Sequence, residues 1–150
     1  MVKTIRAFLL RIILENAIVF EEKAYRFYEA AEQMVNREEV KQLLTQFKAE
    51  ELKHRLRIEE AQRQADINVC CATDAEFKAA MDGMREDWPA VEVYSNRSDI
   101  LKVAYGKEVQ ARDYYLKMRD KFPNSFVKSV FEALAKEEER HARLIAEKME

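Results

Sequence analysis

Apolar residues recur every three or four positions along four segments of this 150-residue chain. The spacing predicts four amphipathic α-helices, because it places the apolar side chains on one face of each helix. The segments run approximately over 4–34, 37–65, 98–121 and 124–148. The chain has only two glycines and two prolines, which favours a few long helices over many short strands.

Carboxylates and imidazoles interrupt these apolar faces at positions where a core residue is expected. Six residues share this property: Glu21, Glu51, His54, Glu108, Glu138 and His141. A buried carboxylate is costly unless it has a partner, so a set of them on buried faces indicates a specific site.

The polar residues form a repeat with an offset of 87 positions. In this repeat Glu21, Tyr28, Glu51 and His54 correspond to Glu108, Tyr115, Glu138 and His141. Apolar positions follow the same offset, since Phe47 matches Leu134 and Ile58 matches Ile145. Two related helical hairpins joined by a crossover are the simplest explanation.

The repeat predicts a single all-α domain over 1–150, a four-helix bundle made of two hairpins. The first hairpin covers about 4–65, the crossover about 66–97 and the second hairpin about 98–149. A short helical pattern from Asp74 to Met84 lies within the crossover. The crossover is long enough to run the length of the bundle and return the chain for the second hairpin.

The spacing also predicts that the six polar residues lie at one depth in the bundle. Asn36 is midway between Glu21 and Glu51, and Pro123 is midway between Glu108 and Glu138. Asn and Pro both favour chain turns. If each hairpin turns there, all four glutamates lie about 22 Å from the turns, at 1.5 Å per residue.

Within each Glu-x-x-His pair the two side chains project from the same helix face. The bundle therefore brings four carboxylates and two imidazoles to a common centre. Four buried carboxylates need a counter-charge, which two divalent cations supply. This donor set suits iron or manganese, with zinc as a further alternative.

Composition gives little reason to expect other partners. The net charge is −2, and acidic and basic residues are interleaved, so nucleic-acid binding is not expected. The apolar run from Ala7 to Leu14 is too short to span a membrane and does not resemble a signal peptide, so we expect a cytoplasmic protein. Cys70 and Cys71 are adjacent and form no metal-binding C-x-x-C pair, so we expect reduced thiols.

Four segments resemble the rubrerythrin-like branch of the ferritin-like superfamily, in order along nearly the whole chain. They are EEKAYRFY from Glu21 to Tyr28, ELKH from Glu51 to His54, EVQARDYY from Glu108 to Tyr115 and EERH from Glu138 to His141. A single Glu-x-x-His is a weak signal. Four segments with doubled spacing are a specific one.

The resemblance implies a ferritin-like fold and a non-haem centre of two iron ions. Glu51 and Glu138 would bridge the irons, Glu21 and Glu108 would be terminal ligands, and His54 and His141 would each bind one iron. Tyr28 and Tyr115 would act from outside the ligand set, through hydrogen bonds to carboxylates that surround it.

The resemblance further implies an oxidoreductase that reduces hydrogen peroxide or oxygen. The sequence contains no four-cysteine rubredoxin domain, so a separate rubredoxin-like protein would supply the electrons. A homodimer is the expected assembly. Two alternatives remain open: a ferroxidase or other iron-handling protein, and a non-enzymatic bundle that the metal stabilises.

Two features qualify the ligand set. Classical rubrerythrins carry an extra glutamate one turn after the third-helix ligand, where this chain has Ala111. Their redox-linked exchange of that carboxylate with a histidine is therefore not expected. Glu50 and Glu137 also match across the repeat and could reach a metal, but we rank them below Glu51 and Glu138, which form the established inward pair with the histidines.

Overall fold

A computed structural model describes residues 2–64, 97–121 and 125–149, and nearly all of them are helical. The helices are α1 (Val2–Met34), α2 (Glu38–Gln64), α3 (Arg97–Lys121) and α4 (Ser125–Met149). The predicted all-α four-helix bundle is confirmed. The end of α1 and the start of α2, which lie inside a described range, agree with the predicted positions to within one residue. Within these ranges, no helix combines the length and apolarity needed to cross a membrane.

The turn between α1 and α2 lies at Asn36, where the spacing predicts it. The backbone amides of Val40 and Lys41 donate to the carbonyl of Arg37 at 3.1 and 3.0 Å and begin α2. The second predicted turn at Pro123 and the short helix predicted from Asp74 to Met84 lie outside the described residues. The predicted crossover over about 66–97 also lies outside them, except for Arg97, which is the first residue of α3.

The helices pack as two hairpins, with α1 along α2 and α3 along α4. Contact between the hairpins runs mainly between α2 and α4, and to a smaller extent between α1 and α3. The helices that carry Glu-x-x-His are thus the two that join the hairpins most closely.

The apolar core consists of two clusters. The first joins the N-terminal halves of α1 and α4 to the C-terminal halves of α2 and α3, through residues such as Leu14, Ile58, Met118 and Phe131. The second joins the opposite halves of the same helices, through Phe27, Leu44, Leu101 and Ile145. All six polar positions fall between the two clusters along their helices, so apolar side chains enclose them from both ends of the bundle.

Candidate metal centre

The structure brings all six predicted polar side chains together in the middle of the bundle. None is more than 2% exposed; they are Glu21, Glu51, His54, Glu108, Glu138 and His141. The helical period that gives each helix an apolar face also directs these side chains inward, between the two core clusters.

The six residues form two groups of four that share two members. One group contains Glu21 and His54, the other contains Glu108 and His141, and Glu51 and Glu138 belong to both. In each group the possible ligand atoms all lie within 4.8 Å of one another. Two ions could therefore lie side by side, with the two shared carboxylates between them.

Each histidine directs its Nδ1 atom toward the shared carboxylates. The Nδ1 of His54 lies 3.1 Å from Oε1 of Glu138, and the Nδ1 of His141 lies 3.2 Å from Oε1 of Glu51. Each of these contacts joins α2 to α4. The lone pair needed for metal binding is on Nδ1 when the proton is on Nε2.

The far nitrogen of each histidine contacts a glutamate of the opposite hairpin. The Nε2 of His54 is hydrogen-bonded to Oε2 of Glu137, and the Nε2 of His141 lies 2.5 Å from Oε2 of Glu50. A carboxylate at this nitrogen fixes the tautomer and the ring orientation of a ligating histidine.

Glu50 and Glu137 are only weaker ligand candidates on the sequence pattern, which does not predict their contact with the histidines. Their match across the repeat was the signal, because each precedes a Glu-x-x-His by one residue. Hydrogen bonding to His141 lowers the pKa of Glu50 to about 2, and hydrogen bonding to His54 lowers the pKa of Glu137 to about 2. Both glutamates are therefore anionic over the working pH range of most proteins.

The two predicted tyrosines also reach across the bundle. The hydroxyl of Tyr28 donates to Oε1 of Glu108, and the hydroxyl of Tyr115 donates to Oε1 of Glu21. We expected hydrogen bonds to carboxylates outside the ligand set. The observed partners are instead the two candidate terminal ligands themselves, each on the other hairpin.

Burial and mutual charge divide the four central carboxylates into two kinds. Burial and the charge of the shared carboxylates raise the pKa of Glu21 and Glu108 well above the usual value. For Glu51 and Glu138, burial acts in the same direction. Hydrogen bonding with a neighbouring carboxyl group (Glu21 for Glu51, Glu108 for Glu138) and the positive charge of His54 outweigh this effect of burial. The pKa of Glu51 and the pKa of Glu138 are therefore lowered. Glu21 and Glu108 thus hold a proton more readily than Glu51 and Glu138 do.

Orphaned polar atoms at the centre match what two cations would need. Several buried atoms of the centre have no hydrogen-bond partner within the described ranges: Glu21 Oε2, Glu51 Oε1, both carboxylate oxygens of Glu138, and the Nδ1 atoms of His54 and His141. Such groups are expensive to bury unless a ligand satisfies them. The donor set of oxygens with one nitrogen per group is compatible with a di-iron site.

Lys107 is a buried lysine beside the centre that sequence analysis missed. It is 4% exposed, and its Nζ lies 4.7 Å from the centre of the Phe27 ring. Burial lowers the pKa of Lys107 to about 5. Its repeat counterpart is Phe20, so the two halves of the bundle differ here.

The bundle encloses four glutamates and two histidines, in two groups that share carboxylates. This is the arrangement found in ferritin-like carboxylate proteins. A known protein family also matches part of the chain. The rubrerythrin family model matches residues 99–150, which include Glu108, Glu138 and His141. Residues 99–150 are thus similar to the rubrerythrin family. No curated protein and no solved structure matches it.

Proposed function

We propose that this protein is a di-iron oxidoreductase that reduces hydrogen peroxide to water. The observation that carries the proposal is the sharing of Glu51 and Glu138 between two groups that each add one glutamate and one histidine. When bound, two ferrous ions would supply two electrons and act as Lewis acids. Hydrogen peroxide, two electrons and two protons then give two molecules of water.

The chain's own residues support this role by fixing the ligand atoms in advance. Tyr115 holds Oε1 of Glu21, which leaves Oε2 on the side of His54, 3.5 Å from its Nδ1. Tyr28 holds Oε1 of Glu108, which leaves Oε2 3.4 Å from the Nδ1 of His141. Ligands held in position by neighbouring groups bind a metal with little reorganisation.

The two core clusters support the proposal in a second way. They place apolar side chains on both sides of the centre, and the six candidate ligands are almost fully buried. Exclusion of water strengthens electrostatic interactions and limits side reactions of an oxidised centre. A small substrate such as peroxide suits a site enclosed in this way.

The electrons for the next turnover come, in this proposal, from a separate donor protein of the rubredoxin type. Such a donor would return the oxidised centre to the diferrous state after each peroxide is reduced. The proposed assembly is a homodimer, which sizing in solution would test.

The test begins with metal content and ends with kinetics. Freshly purified protein should contain close to two irons per chain, and Glu51→Ala should lose both, because Glu51 belongs to both groups. The anaerobic diferrous protein is then mixed with peroxide or with oxygen in a stopped-flow spectrometer. Glu22→Gln, next to Glu21 but half-exposed on the surface, is the matched control and should behave as wild type.

Each part of the proposal can fail separately. Unchanged metal content and stability in Glu51→Ala would remove the metal centre altogether. Faster reaction with oxygen than with peroxide would replace the peroxidase role with ferroxidation or another form of iron handling. If Glu51→Ala loses its metal but the wild type shows no turnover of peroxide, the protein is a bundle that the metal stabilises and not an enzyme.

A further inference from the structure

We infer that the two metal positions of this centre are inequivalent, and that the position formed with Glu108 and His141 fills first. The inference rests on the proposed metal centre and concerns the surroundings of its two histidines. The ligands themselves repeat faithfully across the two hairpins. Several residues around the two histidines do not repeat.

The first difference is an aromatic ring on one histidine. Phe47 stacks on His141, with ring centres 4.2 Å apart and an angle of 29° between the planes. The repeat-equivalent residue on α4 is Leu134, which has no ring to stack on His54. A flat contact restricts rotation of the His141 ring, so its Nδ1 is held toward the centre more firmly.

The second difference lies in the glutamates that contact the far nitrogen of each histidine. The side chain of Glu50, at His141, is 18% exposed, whereas that of Glu137, at His54, is 34% exposed. Glu50 also accepts hydrogen bonds from Arg140 and, at 2.8 Å, from Gln46. Glu137 accepts a further hydrogen bond from Arg57 at 3.3 Å.

The two arginines that contact these glutamates, Arg140 and Arg57, do not occupy equivalent positions in the repeat. Arg140 precedes His141 on α4, and the equivalent residue before His54 is Lys53. Arg57 lies on α2, and its equivalent on α4 is Leu144. The support of His141 is therefore built differently from that of His54, and it is more buried.

All these differences favour metal binding at His141 over metal binding at His54. A ligating imidazole whose orientation is already fixed loses less conformational entropy when it binds a metal. Because outer contacts of this kind change metal affinity about 10- to 100-fold, we expect about a 10-fold preference for the His141 position. Phe47, Glu50 and Arg140 are positioning residues in this account, since they act through His141.

The experiment uses the fact that the chain has only two histidines. The intact protein, labelled with ¹⁵N-histidine, is freed of metal and titrated with zinc, a diamagnetic ion that accepts nitrogen and oxygen ligands. Only two imidazoles contribute to the spectrum, and the His54→Gln variant assigns them. At one zinc per chain, a 10-fold preference between independent positions fills about three quarters of the His141 positions and about one quarter of the His54 positions, so the His141 signals should lead about threefold.

Matched variants test the cause of the preference. Phe47→Leu gives His141 the residue type that the repeat provides at Leu134, so the lead of the His141 signals over the His54 signals should shrink. Arg140→Gln should also reduce the lead of His141, whereas Arg57→Gln should increase it. The two arginine side chains are 36% and 42% exposed, so these variants carry the test even if Phe47→Leu unfolds the bundle.

The outcomes separate this inference from the proposed function. Equal movement of both histidines in the wild type, with saturation at two zinc ions, would overturn the inequivalence and leave the metal centre intact. An order that none of the three variants alters would overturn the role assigned to Phe47 and Arg140. Signals that do not respond to zinc at all would overturn both the inference and the metal centre.

Discussion

Tyr28 on α1 donates its phenolic hydrogen to Glu108 on α3, eighty residues further along the chain. Tyr115 on α3 returns the same contact to Glu21 on α1. The two bonds join helices that otherwise make little contact with each other. They therefore position a carboxylate and connect the hairpins at the same time.

Removal of one of these bonds should destabilise the bundle. Tyr115→Phe leaves Oε1 of buried Glu21 without its donor, which costs about 1–3 kcal/mol in the free energy of unfolding. The neighbouring Tyr114 provides the control, because its buried hydroxyl has no hydrogen-bond partner among the residues that the structure describes. Tyr114→Phe should be neutral or slightly stabilising. Urea unfolding of the metal-free proteins measures both, and equal losses in the two variants would contradict the assigned bond.

The glutamates behind the histidines should control metal affinity without binding metal. Glu50→Gln keeps an oxygen that can accept from Nε2 of His141 but removes the charge that makes this histidine a better ligand. We expect metal affinity to fall about 10- to 100-fold, with helix content unchanged. Competition with a chelator of known affinity measures the change. Glu22→Gln, which removes a surface charge paired with Arg26, should have no effect, and a similar loss there would indicate a general charge effect.

Sequence predicted the helices and the six inward residues because both depend on periodicity within a single helix. Glu51 and His54 stand out since they occupy places on a stripe that are otherwise apolar. The partners of Tyr28 and Glu50 depend instead on how one hairpin lies against the other. Spacing sets the height of a residue in its own hairpin but not the side chain that faces it from the next. The burial of Lys107 could not be predicted either, because it depends on packing against Phe27 of another helix and not on the apolar period of its own helix.

The ion pairs of Glu50 and Glu137 predict how the metal-free fold responds to acid. Their pKa is about 2 in the folded chain, against a usual value of 4.5, because the histidines donate hydrogen bonds to them. A lowered folded pKa means that the contribution is complete above about pH 4.5 and is lost as the pH falls toward 2. The free energy of unfolding should therefore decline across this window.

The double variant Glu50→Gln, Glu137→Gln isolates that contribution. It should be less stable than wild type at pH 6, and the difference should shrink as the pH falls, since the wild type loses the same charges by protonation. Urea unfolding at several pH values between 6 and 3 gives the comparison. A difference that stays constant with pH would show that these carboxylates are not ionised in the folded chain.

Metal binding should release protons, because the metal-free centre holds them. Glu21 and Glu108 have a raised pKa through burial and the charge of nearby carboxylates. The pKa of His54 and of His141 is raised in spite of burial, by the carboxylates around them. Each of these groups must be free of its proton at the ligand atom to bind metal. Metal binding should thus displace protons, and affinity should weaken as the pH falls.

Calorimetric titration in buffers of different ionisation enthalpy counts these protons directly. At one pH, the apparent binding enthalpy changes linearly with the buffer enthalpy, and the slope is the number of protons released. Zinc is a suitable probe, since it undergoes no redox change during the titration. The Glu51→Ala variant is the control and should release few protons, because Glu51 belongs to both ligand groups. A slope below one proton for the wild type would mean that the metal binds elsewhere, or that the centre is already deprotonated before it arrives.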